Sequence, residues 1–211
     1  MKRWMIMGVG VLGAAVAALC LGICIEHGIS KNINLPYKVR QTPLVMLELR
    51  SYDGVFLEDG NLREVQGVAA VVIQNTGECL VENGSLRIRQ GNVILVFVFT
   101  MLPPGAKLLI PECTEQLFVC DQIDACWGVC FFGSRDGRVS VVEVGRSMLK
   151  ISNTTGELAT NVVVYYKFYD EVERQYVGGF SFSIHLDRLE PGKCDIRPAF
   201  WYISGQSKVI Q

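Results

Sequence analysis

Apolar and polar positions are distributed very unevenly along this chain. From Trp4 to Ile25 there are 22 consecutive apolar or small residues. As a helix, such a run covers about 33 Å, enough for a hydrocarbon core of about 30 Å. A buried core helix of this length would show a polar face and this run has none, so the pattern predicts a transmembrane signal-anchor helix over residues 1–25. A cleaved signal peptide is the competing reading, but its apolar region is usually about 7–15 residues and ends at a small-x-small site. Here Ala15-Val16-Ala17 falls in mid-run. Lipidation at Cys20 or Cys24 would follow Leu-x-(Ala/Gly), and Leu19 and Ile23 stand directly before these cysteines instead. Lys2 and Arg3 precede the run and Glu26 follows it, which places the N-terminus in the cytoplasm and the body of the chain outside it after a single pass through the cell membrane.

Residues 26–43, with Gly28, Ser30, Asn32, Asn34, Pro36 and Pro43, read as a linker. Beyond them the texture becomes short apolar runs, rich in Val, Ile, Phe and Tyr, between turn signals, with no sustained 3.6-residue stripe. The pattern predicts an all-β body. Phe180-Ser181-Phe182-Ser183-Ile184-His185-Leu186-Asp187 alternates without a slip, which predicts a strand with one core face and one wet face. Val162, Val164, Tyr166 and Phe168 make a second stripe aimed at the same core. Val93 to Met101 is apolar on both faces, as expected of a central strand. Arg89-Gln90-Gly91-Asn92 and Arg135-Asp136-Gly137-Arg138 read as hairpin turns.

A weak internal repeat orders these pieces. Val72-Ile73-Gln74-Asn75-Thr76-Gly77-Glu78 leads to Leu102-Pro103-Pro104-Gly105-Ala106-Lys107, and Lys150-Ile151-Ser152-Asn153-Thr154-Thr155-Gly156-Glu157 leads to Leu189-Glu190-Pro191-Gly192-Lys193. Each half has a strand, an Asn-Thr turn ending in Gly, further strands, a Pro-Gly turn and a closing strand. Two tandem β-sandwich domains of about 70–90 residues fit, over residues 44–120 and 121–211.

The second half, through Asn153 to Leu158, Asn161-Val162-Val163-Val164-Tyr165-Tyr166-Lys167-Phe168-Tyr169-Asp170 and Leu189-Glu190-Pro191-Gly192, resembles the FxLYD-like bacterial β-sandwich domains. The first half matches only at Asn75, Gly77, Leu80 and the Leu102 to Gly105 turn, and lacks the Phe-Tyr-Asp segment. The layout of anchor plus two such halves is similar to that of single-span envelope proteins of gut-type anaerobic bacteria. The resemblance implies Ig-like sandwiches and an envelope location, and it brings no catalytic residues.

The 211 residues are 50% hydrophobic and 19% charged, which excludes a disordered tail. Lys plus Arg total 20 against 21 Asp plus Glu, so no basic excess points to nucleic acid. His27 and His185 are the only histidines, leaving little for a metal site or a Ser/His/Asp triad. The other unusual chemistry is six cysteines beyond the apolar run: Cys79, Cys113, Cys120, Cys126, Cys130 and Cys194. Outside the cytoplasm an even number suggests disulfides, whereas buried apolar thiols are the plainer alternative. Four of the six lie between residues 113 and 130, but without the Cys-x-x-Cys spacing of a zinc knuckle or a thioredoxin-like motif. His185 beside Asp187 reads as a surface histidine, and Glu58-Asp59 and Asp170-Glu171-Val172-Glu173 as solvated turns, neither following a calcium loop. Asn83-Gly84-Ser85 and Asn153-Thr154-Thr155 are formal glycosylation sequons. Tyr165, Tyr169 and Tyr176 form a candidate contact surface. The sequence thus predicts a non-enzymatic, membrane-anchored envelope protein that displays two sandwiches for protein binding or structural support, with no cofactor, metal, nucleic acid or small-molecule substrate. Its rival is a thiol-redox or metal protein using the 113–130 cysteines.

Overall fold

The computed structural model describes residues 33–58, 61–134 and 137–210. The apolar run and residues 26–32 lie outside the described residues, as do Asp59, Arg135 and Asp136. The described residues contain strands and no helix. In chain order these are β1 (Tyr37–Lys38), β2 (Leu44–Glu58), β3 (Asn61–Asn75), β4 (Leu80–Gln90), β5 (Val93–Leu102), β6 (Lys107–Pro111), β7 (Ala125–Gly133), β8 (Val139–Gly145), β9 (Met148–Asn153), β10 (Ala159–Asp170), β11 (Gln175–Leu189), β12 (Cys194–Pro198) and β13 (Ser207–Ile210).

One sheet runs β1-β2-β3-β6-β11-β10-β13, and two smaller ones run β5-β4-β7 and β12-β9-β8. The layers are held by strict alternation. In β4, Leu86 and Ile88 are fully buried while Arg87 faces solvent. Leu49, Val71, Ile73 and Leu108 of the large sheet pack with Leu86, Ile88, Phe97 and Phe99 of the β5-β4-β7 sheet. Val139, Leu149 and Ile151 of β8 and β9 pack in the same way with Val162, Val164, Tyr166, Ile184 and Leu186. The body is an all-β, sandwich-like arrangement. The stretch 33–43, expected as linker, belongs to this body: Val39 is fully buried and Ile33 nearly so, both within the first core.

The repeat has a structural basis. Pairing of β2 with β3 and of β3 with β6 recurs as β8 with β9 and β9 with β12, and β5-β4-β7 recurs as β11-β10-β13. β7 lies beyond residue 120 yet pairs with β4 of the first half, because Cys126 and Cys130 turn inward onto that core. The first half's strand set therefore runs to Gly133. Each half is locked by one buried asparagine. The Asn75 amide donates to the Cys79 carbonyl at 2.9 Å and the Leu102 carbonyl at 3.0 Å, and its oxygen accepts from Gly77 N at 3.0 Å. The Asn153 amide donates to the Glu157 carbonyl at 2.7 Å and the Leu189 carbonyl at 2.9 Å, and its oxygen accepts from Thr155 N at 2.9 Å. Asparagine is suited to this place because it offers two donors and an acceptor on one short stem; aspartate would offer no donor.

The halves are joined through the large sheet, where Tyr176 and Val177 of β11 pair in parallel with Leu108 and Leu109 of β6. The joint bends β11. Between the Tyr166–Phe182 and Phe168–Val177 pairs, two steps along β10 correspond to five along β11. Gly178, at φ +93°, supplies a backbone conformation open to glycine in this bulge. The fully buried Lys167 fills the opening, donating from Nζ to the Thr100 carbonyl at 2.7 Å and the Gly179 carbonyl at 2.8 Å.

This bulge corrects the predicted stripe in two places. Phe180 lies in it and is 37% exposed, and Phe168 packs with a third cluster, containing Phe56, Val65, Val68, Leu109 and Val177, rather than with Tyr166. The predicted alternation holds from Phe182 onward, where Phe182 stacks on Tyr166 at 5.4 Å between centroids and Ser183 is exposed. Phe182→Asp is expected to cost about 2–4 kcal/mol of unfolding free energy and Ser183→Asp no more than about 0.5 kcal/mol, as read by urea denaturation of a chain beginning at residue 32.

Two further expectations are revised. β5 is an edge strand, not a central one, with Val93 and Ile94 47% and 50% exposed. Its second apolar face is explained by its neighbours: Thr100 Oγ accepts from Ser181 N of β11, and Val96 N donates to the Glu112 carboxylate. Arg89 to Asn92 forms the β4–β5 hairpin turn, with Gly91 at φ +55°. The strands on either side of the predicted 135–138 turn, in contrast, do not pair with each other: β7 pairs with β4 and β8 with β9.

Candidate interaction surfaces

All six cysteines of the body are thiols. Cys126 and Cys130 lie on the inward face of β7, and four residues of extended chain separate their positions by about 13 Å, beyond disulfide reach. Burial pushes the Cys126 thiol up to about 12 and the Cys130 thiol up to about 11. Cys79, Cys113 and Cys194 are exposed, and Cys120 is half-buried beside Gln90. The cluster read from residues 113–130 is therefore split between a core strand and a surface strap. Among the described residues no group of three or more His, Cys, Asp or Glu is placed to hold a metal ion. Because the thiolate is the reacting species, alkylation at pH 8 is expected to mark Cys79 and Cys194 quickly and Cys126 last, with Cys126 labelling still rising as pH passes 10. Peptide mass spectrometry after timed iodoacetamide treatment reads this order.

The three tyrosines do not form one surface. Tyr169 and Tyr176 are cross-strand partners on β10 and β11, with centroids 5.1 Å apart in an edge-to-face pair, and Tyr176 is buried. Lys208 of β13 places Nζ 3.4 Å from the Tyr169 ring centroid and 3.0 Å from Glu171. Partial desolvation lowers the Lys208 pKa, but Glu171 and Tyr169 outweigh it and hold the ammonium above its ordinary range. Tyr169, Tyr176 and Lys208 line an open cleft of about 520 Å³ with Pro103, Pro104, Lys107 and Arg174. Lys107, Arg174 and Lys208 bring positive charge to this cleft, part of it offset by Glu171. Tyr165 lines a different cleft, of about 590 Å³, with Leu80, Glu82, Met101, Phe132 and Ile210. Burial raises its phenol, and Glu82 adds to the shift.

His185 donates to or accepts from Ser183 Oγ at 3.1 Å on the open face of β11, a pairing the sequence reading did not make. Both groups are exposed, so nothing there excludes water from them. The acidic segment 170–173 is a turn: Asp170 Oδ1 accepts from Val172 N at 2.8 Å and Glu173 N at 3.1 Å.

The sequence reading missed two apolar surfaces. On β7 the larger residues face outward, with Trp127, Val129 and Phe131 38%, 51% and 65% exposed. The inward face is crowded at Gly128, where a Cβ would lie 3.1 Å from the Ser85 carbonyl oxygen, 3.3 Å from Val39 and 3.4 Å from Leu86. The alternation of Cys126, Gly128 and Cys130 with Trp127, Val129 and Phe131 carried that signal, with the small residues marking the core side. β7 is also an edge of its sheet. The second surface surrounds the β4–β5 turn, where Val93, Leu95, Leu117 and Val119 line a groove of about 350 Å³. Leu117 and Val119 lie on a strap after β6 that the buried Glu112 carboxylate pins, accepting from Val96 N at 3.0 Å, Thr114 N at 2.7 Å and Gln116 N at 3.0 Å.

No known protein family, curated protein or solved structure matches this chain.

Proposed function

We propose that the protein is a non-enzymatic, single-pass membrane protein whose C-terminal body is held outside the cytoplasm to bind another envelope protein. In this reading each half is an Ig-like sandwich, the second of the FxLYD-like kind. The strand order supports it: each half pairs its first, second and fifth strands in one layer and its fourth, third and sixth in the other, as Ig-like sandwiches do. The observation that carries the binding role is the outward row Trp127, Val129 and Phe131 on an edge strand. Contiguous aromatic and branched side chains beside unpaired backbone suit a partner that adds a strand or covers the face. The thiol or metal alternative is weakened by the raised pKa values of Cys126 and Cys130, which keep both sulfurs protonated near neutral pH.

A photo-crosslinking residue in place of Phe131, in cells expressing the full chain, tests the reading. One discrete protein adduct is expected at Phe131 and none at Lys193. Adducts at neither position, or equally at both, would overturn the binding role. A C-terminal tag cleaved by protease added to cells with an opened outer layer, with an N-terminal tag protected, is expected for the topology; the reverse pattern would overturn it.

A further inference from the structure

We propose that the end of the body formed by Val93, Ile94, Leu117 and Val119 rests on the bilayer surface, with these side chains in the boundary between headgroups and acyl chains. The inference depends on residues 4–25 being a membrane anchor, as proposed above. Its first support is where the body begins. Ile33 N donates to the Ile123 carbonyl at 2.9 Å, Asp124 N to the Arg89 carbonyl at 2.9 Å, and Gly91 N to the Asp124 carboxylate at 2.6 Å. The chain thus enters the body beside the β4–β5 turn and the strap. Residues 26–32 alone separate Ile25 from Ile33, and the eight backbone steps between them reach at most about 29 Å when fully extended. Whatever path those residues take, Ile33 can be no farther than that from the end of the proposed anchor.

The second support is that the exposure is built in. Leu117 and Val119 are 65% and 82% exposed on a strap held at several points. Besides the Glu112 bonds, Ala69 N donates to the Gln116 carbonyl at 2.8 Å, Phe118 N to the Gly67 carbonyl at 2.7 Å, and the Gln90 amide to the carbonyls of Cys120 and Gln122 at 2.7 and 2.8 Å. Phe118 packs against the core, and its two neighbours are directed away from it. The equivalent hairpin of the second half carries Asp170, Glu171, Glu173 and Arg174 around Val172. An apolar tip is thus a property of the end next to the anchor. Arg63 is paired with Glu115, and Asp124 bonds to the Arg89 backbone, so no net positive charge collects there. Apolar insertion, and not attraction to anionic headgroups, accounts for the contact.

The full chain reconstituted in phosphatidylcholine vesicles, and separately in vesicles containing phosphatidylglycerol, with a benzophenone amino acid in place of Val119, tests this directly. The control position is Phe131, which is also exposed and lies about 20 Å along β7 from Ala125, the partner of Arg89. Irradiation is expected to give several-fold more lipid adduct at Val119 than at Phe131, to a similar extent in both vesicle types. Three results would overturn the proposal: equal lipid labelling at the two positions, labelling at Val119 only with phosphatidylglycerol, or a discrete protein adduct at Val119 in place of lipid. Carbonate extraction separates the two levels of inference. A chain released from the vesicles by carbonate overturns the anchor and this proposal together, whereas a retained chain without lipid adduct at Val119 overturns this proposal alone.

Discussion

Asn153→Ala is expected to lower the unfolding free energy by about 2–4 kcal/mol, and Asn75→Ala by a similar amount. Each substitution removes a fully or almost fully buried carboxamide and leaves two carbonyls and a backbone N–H without their partner: Glu157, Leu189 and Thr155 around Asn153, and Cys79, Leu102 and Gly77 around Asn75. An unsatisfied buried polar group costs about 1–3 kcal/mol, and some of the exposed turn can recruit water, which sets the range. Asn153→Asp is expected to destabilise as well, because a carboxylate cannot donate to the Glu157 and Leu189 carbonyls. Urea denaturation of a chain beginning at residue 32 measures these values. The same curves report how the halves fold. Since β6 and β11 share one sheet and Lys167 donates to Thr100, both substitutions should shift one common transition. Two transitions, each moved by only one of the substitutions, would show halves that fold independently.

Gly84→Val should cost about 3 kcal/mol or more, the upper part of the range for overpacking. A Cβ on Gly84 would stand 2.2 Å from Cζ of Phe99 and within 2.8 Å of both Cε atoms. That ring is fully buried among Leu86, Phe97 and Met101, so it has nowhere to move. Even Gly84→Ala should be costly. Gly84→Ala combined with Phe99→Leu is expected to recover part of the loss, because shortening the side chain clears the contact while opening a small void elsewhere. Gly91→Ala is the comparison: its Cβ would meet nothing within 4 Å, and it should lose only about 1 kcal/mol, from the left-handed backbone at φ +55°. Equal losses at Gly84 and Gly91 would mean that the Phe99 ring does not lie over Gly84.

The sequence by itself determined those features that depend on neighbours along the chain. Alternation put Ile184 and Leu186 into the core and Ser183 and His185 into solvent, and the Asn-Thr turns with their Leu-x-Pro-Gly or Leu-Pro-Pro-Gly counterparts marked two similar halves. Both signals are local: side chains alternate with the pleat, and turn residues satisfy their own backbone. Tertiary structure decided where such signals break or combine. The bulge that exposes Phe180 and diverts Phe168 lies where β11 passes from pairing with β10 alone, from Phe182 on, to lying between β10 and β6 at Tyr176 and Val177, a change set by a strand about 65 residues away. Tyr165, Tyr169 and Tyr176 read as one surface, but Tyr176 is buried and the others line separate clefts once β13 and the 103–107 turn pack beside them. The outward row on β7 goes with small residues on its inward face, where Ser85, Val39 and Leu86 approach Gly128 closely. Hydrophobicity along a chain shows which residues avoid water where a core is available; which apolar residues remain in water depends on how much room that core has left.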